Sequence, residues 1–541
     1  MREIAFQIPP RLPHPYGVRN DPIKSPLPGF STAVQKIIEN AIEKKDLDFF
    51  YRLYLTRMAE LSLTGQGKEF IAHASSSLDD SSSSMYMSKG FEAIGALIDL
   101  DFLKCNLLLD ELEISTKGEE ISIWVDQISS LCRAYTYFHN GNYQKALSYA
   151  KQSLSSPIQS GTLDPLDKGR LIRLVCVISL IISDVDQIDQ CAIDILKIEN
   201  TDDLKVLDHA KLAIKSMQLL TQGEYKQAYE LAKSVIHMEE SAGRVGIASP
   251  FDCKFVLMRC LYEFSMIDEA LQQLAQLKNE AEQNGFKFIK HLCKVGEIRV
   301  LSRSPENITL ISEEIESLRA ELLLDPNQES MVWLVDLAEI FIKKTTKDFS
   351  RIDVIIARNE SSRYIQSIGE SISPKSALID AKMVMKKPES TPFEIIRKYL
   401  QLSKLTSEGV KKQRSHLKRA LTTGEQVGAR EIFLRQGNST LEKIIEVAEA
   451  NNSQWLESLS RSALLRIKER NTSLAFSGEK LTNREIEVLR YLSSDNSIEH
   501  IGKILHISKN TMKTHLRNIY KKLKVKDRKQ AVNFSKTNLL I

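Results

Sequence analysis

Residues 481–532 read LTNREIEVLRYLSSDNSIEHIGKILHISKNTMKTHLRNIYKKLKVKDRKQAV, and the spacing of their apolar residues divides them into four short helices. Thr482 with Glu485 makes a capping box, in which the hydroxyl satisfies a free backbone N–H and the carboxylate reaches back to the cap. Ile486, Leu489 and Leu492 then line one face of a first helix. The polar turn SSDN leads to a second helix with apolar positions Ile498, Ile501 and Leu505. Ser508 caps a third, and Asp527 with Gln530 forms a capping box for a fourth. In the third helix Met512, Leu516, Ile519 and Leu523 recur at i, i+4, i+7 and i+11, a stripe for packing on the other helices. Its opposite face carries Asn510, Lys513, Thr514, Arg517, Asn518 and Lys521: three cations, no acid, and several groups that hydrogen-bond bases or phosphates. Two short helices joined around His506–Ile507 fit a helix-turn-helix, with Gly502 allowing the recognition helix a close approach. The expected core is Ile486, Leu489, Ile501, Leu505, Met512, Leu516 and Ile519.

Charge separates this module from the rest. The 541-residue chain has 74 Lys plus Arg against 70 Asp plus Glu, a net of +4. Residues 478–541 hold 14 basic and 6 acidic groups, net +8, which leaves a net of −4 on the other 477 residues. A basic end on a mildly acidic body points to nucleic-acid binding at that end. A generic helical bundle would not need every charge on one face to be positive.

Upstream, helix is again the expectation. Glycine (22) and proline (15) are scarce, and seven of the prolines fall within residues 1–28, leaving few breakers for hairpins and tight turns. YFHNGNYQKALSYAKQSL at 137–154 and LLTQGEYKQAYELAKSVI at 219–236 share G-x-Y-x-x-A followed by an amphipathic helix. Gly141 and Gly223 stand 82 residues apart, which suggests two units of about 41. Weaker copies pair Phe102 with Cys105, Ile188 with Cys191, Ile267 with Ala270, Ile308 with Ile311, and Phe349 with Ile352. Repetition at this period indicates an α-solenoid.

These residues carry a resemblance. L-T-x-R-E-x-E-V-L (Leu481 to Leu489), I-x-x-x-L-x-I-S-x-x-T-x-K-x-H (Ile501 to His515) and K-L-x-V-x-x-R-x-x-A-V (Lys522 to Val532) resemble the LuxR-type helix-turn-helix domain of bacterial transcription regulators. The likeness covers about 55 residues, a tenth of the chain. It implies a homodimer on double-stranded DNA with an inverted-repeat operator. Lys513, Thr514 and Arg517 would read bases; Ser508, Asn510, Thr511 and Lys521 would contact phosphates; and the last helix, Asp527 to Lys536, would form the dimer contact. The sequence departs from the family pattern at His500 for glutamate, Gly502 for alanine and Met512 for valine, all off the DNA face. The body is similar to tetratricopeptide-type repeats, and LKRALTTGEQVGAREIFLRQGNSTLEKIIEVA at 417–448 resembles the repeat region of MalT-like regulators.

Other chemistry finds no support in the sequence. The nucleotide-binding domain of MalT-like regulators needs a phosphate loop, yet no G-x-x-x-x-G-K-[ST] occurs; beside Gly67-Lys68, Ser62 replaces the first glycine and Glu69 the metal-binding hydroxyl. No alternation of strands and helices suggests a receiver domain. The seven cysteines form no CxxC pair and the ten histidines no zinc spacing, so no cofactor, metal site or catalytic constellation is expected. The longest apolar run, LVCVISLII at 174–182, is too short to span a bilayer, and the N-terminus has no signal-peptide core. The expectation is a cytoplasmic, non-enzymatic, all-α protein: a helical-repeat (tetratricopeptide-like) superhelix followed by a four-helix LuxR-type domain. Its parts are a Pro-rich segment 1–30, a repeat domain 31–467 that binds a small-molecule or protein effector, a linker 468–480, and the DNA-binding domain 481–541. SSSLDDSSSS at 75–84 reads as an exposed loop. Two other roles stay open for the body and its end. One is a docking platform for RNA polymerase; the other is an adaptor whose C-terminal helices bind another protein.

Overall fold

The computed structural model describes residues 82–98, 101–117, 122–155, 165–198, 206–241, 250–303, 307–324, 331–346, 352–359, 391–404, 409–451, 453–473, 481–493, 496–523 and 525–537. The Pro-rich start, the Gly65–Lys68 stretch, Phe349 and residues 474–480 lie outside them. Every regular element among the described residues is a helix. In order they are α1 (Ser82–Ile98), α2 (Phe102–Ser115), α3 (Ser122–His139), α4 (Tyr143–Ser155), α5 (Pro165–Ile181), α6 (Val185–Leu196), α7 (Val206–Gln222) and α8 (Tyr225–Ser241). There follow α9 (Phe251–Glu263), α10 (Ile267–Gln283), α11 (Lys287–Leu301), α12 (Ile308–Leu324), α13 (Trp333–Thr346), α14 (Ile352–Arg358), α15 (Pro392–Leu402) and α16 (Gly409–Val427). The last seven are α17 (Glu431–Leu434), α18 (Asn438–Glu449), α19 (Gln454–Ser473), α20 (Asn483–Leu492), α21 (Ile498–Ile504), α22 (Lys509–Leu523) and α23 (Arg528–Thr537). Ser82–Ser84, expected in an exposed loop, instead open α1, and α19 extends through residues 468–473 of the expected linker.

A recurrent turn organises the body. Gly141, Ser183, Gly223 and Ser265 all have φ between +57° and +85°, at intervals of 42, 40 and 42 residues. Each reverses the chain so that a helix begins two residues later, at Tyr143, Val185, Tyr225 and Ile267. Three residues into each of those helices stands a fully buried Ala146, Ile188, Ala228 or Ala270. The left-handed backbone favours glycine, and the two serines hold it at some cost. Ile188 therefore occupies the small-residue slot itself, and the pairing of Ile188 with Cys191 runs three residues late.

The described residues form two compact units, one up to Gln218 with Ala228–Leu257 and Asn279–Ile289, the other Leu219–Gln227 with Met258–Lys278 and the helices from Lys290 onward. In the first, consecutive helices α1 to α6 pack one on the next and α1 also packs on α3, as in a solenoid. Phe138 is fully buried between Phe251 and the edge of Phe288. Arg173 bridges the buried carboxylates of Glu239 and Asp252, both at 2.6 Å. All seven cysteines are buried thiols outside any disulfide.

His139 closes α3 among the rings of Phe102, Phe138 and Phe286, with centroids 5.1–5.7 Å away. Burial disfavours the imidazolium and lowers its pKa to about 4. The native state therefore binds fewer protons than the unfolded one, whose histidine titrates near 6.5. Its contribution is complete above about pH 6.5 and is lost as pH falls towards 4, by roughly 3 kcal/mol. Urea unfolding across this window should show that loss, and His139→Phe should remove that component of the pH dependence.

In the second unit α15 packs on α16, α16 on α18, and α18 on α19. Thr391 caps α15, with Pro392 at its first position. A Cβ on Gly223 would lie 2.8 Å from the Phe393 backbone nitrogen, and φ there is +85°. Gly409 also has a positive φ, yet nothing stands within 4 Å of its Cβ position. Gly409→Ala should thus cost only the left-handed strain, about 1 kcal/mol, whereas Gly223→Ala should cost at least twice that, read as the difference between their thermal midpoints.

An ion-pair network ties α17 and α19 together. Glu431 is fully buried and faces Arg303 at 3.6 Å and Arg466 at 3.4 Å. Arg466 also donates to the Arg303 carbonyl, while Arg470 donates to the carbonyls of Leu434 and Gln436. Burial, with Arg466 nearby, lowers the Arg470 pKa to about 10. Arg435 bonds both oxygens of the buried Glu263.

Candidate nucleic-acid interface

Four helices, α20 to α23, close around Val488, Leu489, Leu492, Ile501, Leu505, Met512, Leu516, Ile519, Leu523 and Ala531. The capping box forms as the sequence suggests: Glu485 N–H donates to the Thr482 hydroxyl at 3.2 Å, and Thr482 N–H to Glu485 Oε2 at 2.7 Å. Glu485 also receives Lys522 Nζ at 2.8 Å, which ties the start of α20 to the end of α22. Burial pushes the Glu485 pKa up, but the hydrogen bonds from Lys522 and Thr482 outweigh it and hold the carboxyl below its ordinary value. With Glu485 facing inward, Ile486 is turned a further 100° and is only half-buried outside the core, and Val488 takes its place. Ile498 is likewise 37% exposed.

The helix-turn-helix angle is set by α21, its turn and α22. Ser497 caps α21 through His500 N–H at 3.2 Å. His506 takes φ +53° in the turn, and Ile507 N–H returns to the Gly502 carbonyl at 2.9 Å. A Cβ on Gly502 would meet the Ile507 carbonyl oxygen at 3.2 Å, so this glycine lets the turn close against α21. Arg484 donates to the Leu505 carbonyl at the end of that helix. Ser508 accepts from Thr511 N–H at 3.1 Å and caps α22. At α23 the second box is altered: Asp527 accepts from Gln530 N–H at 2.8 Å, but the Gln530 side chain reaches Lys526 N–H at 3.0 Å.

The four stripe residues of α22 are all buried, and the expected DNA-facing residues lie opposite. Lys513, Thr514 and Arg517 are exposed, as are Ser508, Asn510, Thr511 and Lys521, while Asn518 is half-buried. The Thr514 hydroxyl bonds back to the Asn510 carbonyl at 3.1 Å, which fixes the rotamer it offers outward. Lys509 pairs with Glu499 at 2.6 Å on the surface, joining α22 to α21 beside the turn. Ser508 and Thr511 bond each other at 2.8 Å at the start of the helix, where free N–H groups favour anions. A further contact escaped sequence reasoning: Arg490 of α20 pairs with Glu442 of α18. No local pattern marks a pair 48 residues apart.

A short helix pair joined by a tight turn on a small core, with an exposed basic second helix, defines a helix-turn-helix module. Residues 479–535 match the family model of bacterial regulatory proteins of the luxR family, so the chain carries a LuxR-family helix-turn-helix domain at this end. The chain is similar to the CsgBAC operon transcriptional regulatory protein of Escherichia coli K12, 49% identical over 59 residues. That match covers 11% of this chain and 27% of the relative, so the chain spans about a quarter of the relative's length. A probable csgAB operon regulator of Salmonella typhimurium gives the same figures. The response regulator protein VraR of Staphylococcus aureus Mu3 is 29% identical over 185 residues, 33% of this chain and 87% of VraR. Among the described residues no helix is long and apolar enough to cross a membrane.

Proposed function

We propose that the protein is a sequence-specific DNA-binding transcription regulator of the bacterial cytoplasm, not an enzyme, with a helical-repeat body that binds an effector or partner. The observation that carries the reading is α22: its buried stripe fixes the helix while Lys513, Thr514 and Arg517 stand exposed on the opposite face. In this reading those three reach base edges in the major groove, and Ser508, Asn510, Thr511 and Lys521 hold phosphates. The helix α23 joins two copies on an inverted repeat, since half-site symmetry mirrors protein symmetry. The repeats of 82–358 and the helices of 391–473 form the body, and the segment to residue 480 connects it to the domain. An effector shifts output only by favouring one arrangement of the two parts. RNA polymerase is the partner of a body that docks rather than senses.

The direct test is selection of bound fragments from genomic DNA with the full-length protein; absence of any shared inverted repeat would overturn the reading. The cations divide by role. Arg517→Ala should cost on the order of 1–3 kcal/mol on the selected site and relax preference at one position, whereas Lys521→Ala should weaken all duplexes similarly. Competition binding against random duplex separates the two.

A further inference from the structure

A second basic surface lies outside the helix-turn-helix. The helix α16 buries Leu417, Ala420, Leu421, Gly424 and Val427 and turns its other face outward. That outer face carries Lys411, Lys412, Arg414, Lys418 and Arg419, five exposed cations within nine residues. The helix has one carboxylate, Glu425, and it is engaged by the Ser453 hydroxyl at 2.6 Å. Arg419 stacks over Tyr399 at 4.3 Å, but Lys411, Lys412, Arg414 and Lys418 make no ion pair with any described residue. The 477 residues outside the C-terminal domain carry a net of −4, so this face is a local reversal of sign.

Position within the second unit supplies a further observation. Lys443 of α18 donates to Gln413 of α16 at 3.0 Å, and the adjacent Glu442 holds Arg490 of the helix-turn-helix domain. One helix therefore separates the basic face from the domain that reads DNA. Lys411, Arg414 and Lys418 stand at i, i+3 and i+7 on one side, about 10 Å end to end, the length of roughly three base-pair steps.

We infer that the exposed face of α16 is a second phosphate-binding surface, which holds the backbone of duplex DNA flanking the site taken by α22. The inference rests on the reading of the C-terminal domain as DNA-binding. Each cation seated on a phosphate releases counterion, so the surface adds affinity and salt sensitivity without adding sequence preference. It lengthens the footprint, and short duplexes do not reach it.

The test uses full-length protein and a triple variant, Lys411→Gln, Arg414→Gln and Lys418→Gln, which keeps helix propensity and leaves the buried face intact. Binding to mixed-sequence duplexes of about 20 and about 60 base pairs is followed against salt. On the long duplex the variant should show a log–log slope shallower by about 2 to 3 units and a roughly hundredfold weaker affinity at about 0.1 M salt. On the short duplex the two proteins should match. Equal slopes for both proteins on the long duplex overturn the inference while leaving the C-terminal reading in place. Failure of both proteins to bind either duplex at low salt overturns both. Anionic phospholipid vesicles serve as a second probe; a variant that loses vesicle binding but keeps its DNA slope reassigns the face to a membrane surface and overturns the inference.

Discussion

The segment 478–541, produced alone, is expected to fold and to bind duplex DNA with an affinity that falls about a thousandfold between roughly 50 and 200 mM salt. Its core, its Thr482–Glu485 capping box and the Lys522–Glu485 bond all lie within those residues, so nothing needed for its packing is removed by the cut. What is lost is the pairing of Arg490 with Glu442, a half-exposed contact that contributes little to folding. In the proposed dimer two copies would each bring several cations to the phosphates, and the steep salt dependence follows from the counterions released. Circular dichroism and a salt titration by fluorescence anisotropy check both halves. An unfolded segment, or one indifferent to DNA at low salt, removes the domain from DNA binding.

The second large effect concerns Glu431. Its carboxylate is fully buried against Arg303 and Arg466, and Arg466 is itself 4% exposed. Glu431→Ala leaves the two guanidinium groups beside one another with no buried counter-charge, and Arg470 is already depressed by burial and by Arg466. Removing one partner of a buried pair costs roughly 3–5 kcal/mol. Denaturant unfolding of the full chain should show a loss of that size, with Glu431→Gln losing less because the amide oxygen still accepts a hydrogen bond. The exposed pair of Glu499 with Lys509 provides the contrast: Glu499→Ala should leave the midpoint unmoved. A Glu431→Ala protein as stable as the parent would mean that the Glu431 ion pairs do not hold α19 in place.

These two sites also mark what a sequence can disclose. The helix-turn-helix was legible because its determinants are local: a capping box that spans four residues, a stripe of period 3.6, and a turn where Gly502 meets the Ile507 carbonyl. It misled at Ile486, since a glutamate that is both cap and ion-pair partner takes the inward position next to it. The body was most legible where glycine and tyrosine advertise the turn, although the pairing of Ile267 with Ala270 also fell in register. Ser183 and Ser265 hold the same left-handed backbone, but serine carries no such mark, so those units blurred. The arginine network of α17 and α19 left no trace at all. Its partners are up to 172 residues apart, and a charged residue about to be buried looks like any other on the page.

The even spacing of the chain reversals at Gly141, Ser183, Gly223 and Ser265 makes the body a measured-out material. Because each rung begins two residues after its reversal, a cut at one such point and a splice at the next bring helix starts together in phase. Such an edit keeps the helix starts in phase but not every contact, since Phe138 packs on Phe251 and Phe288 and Arg173 pairs with Asp252, 79 residues further on.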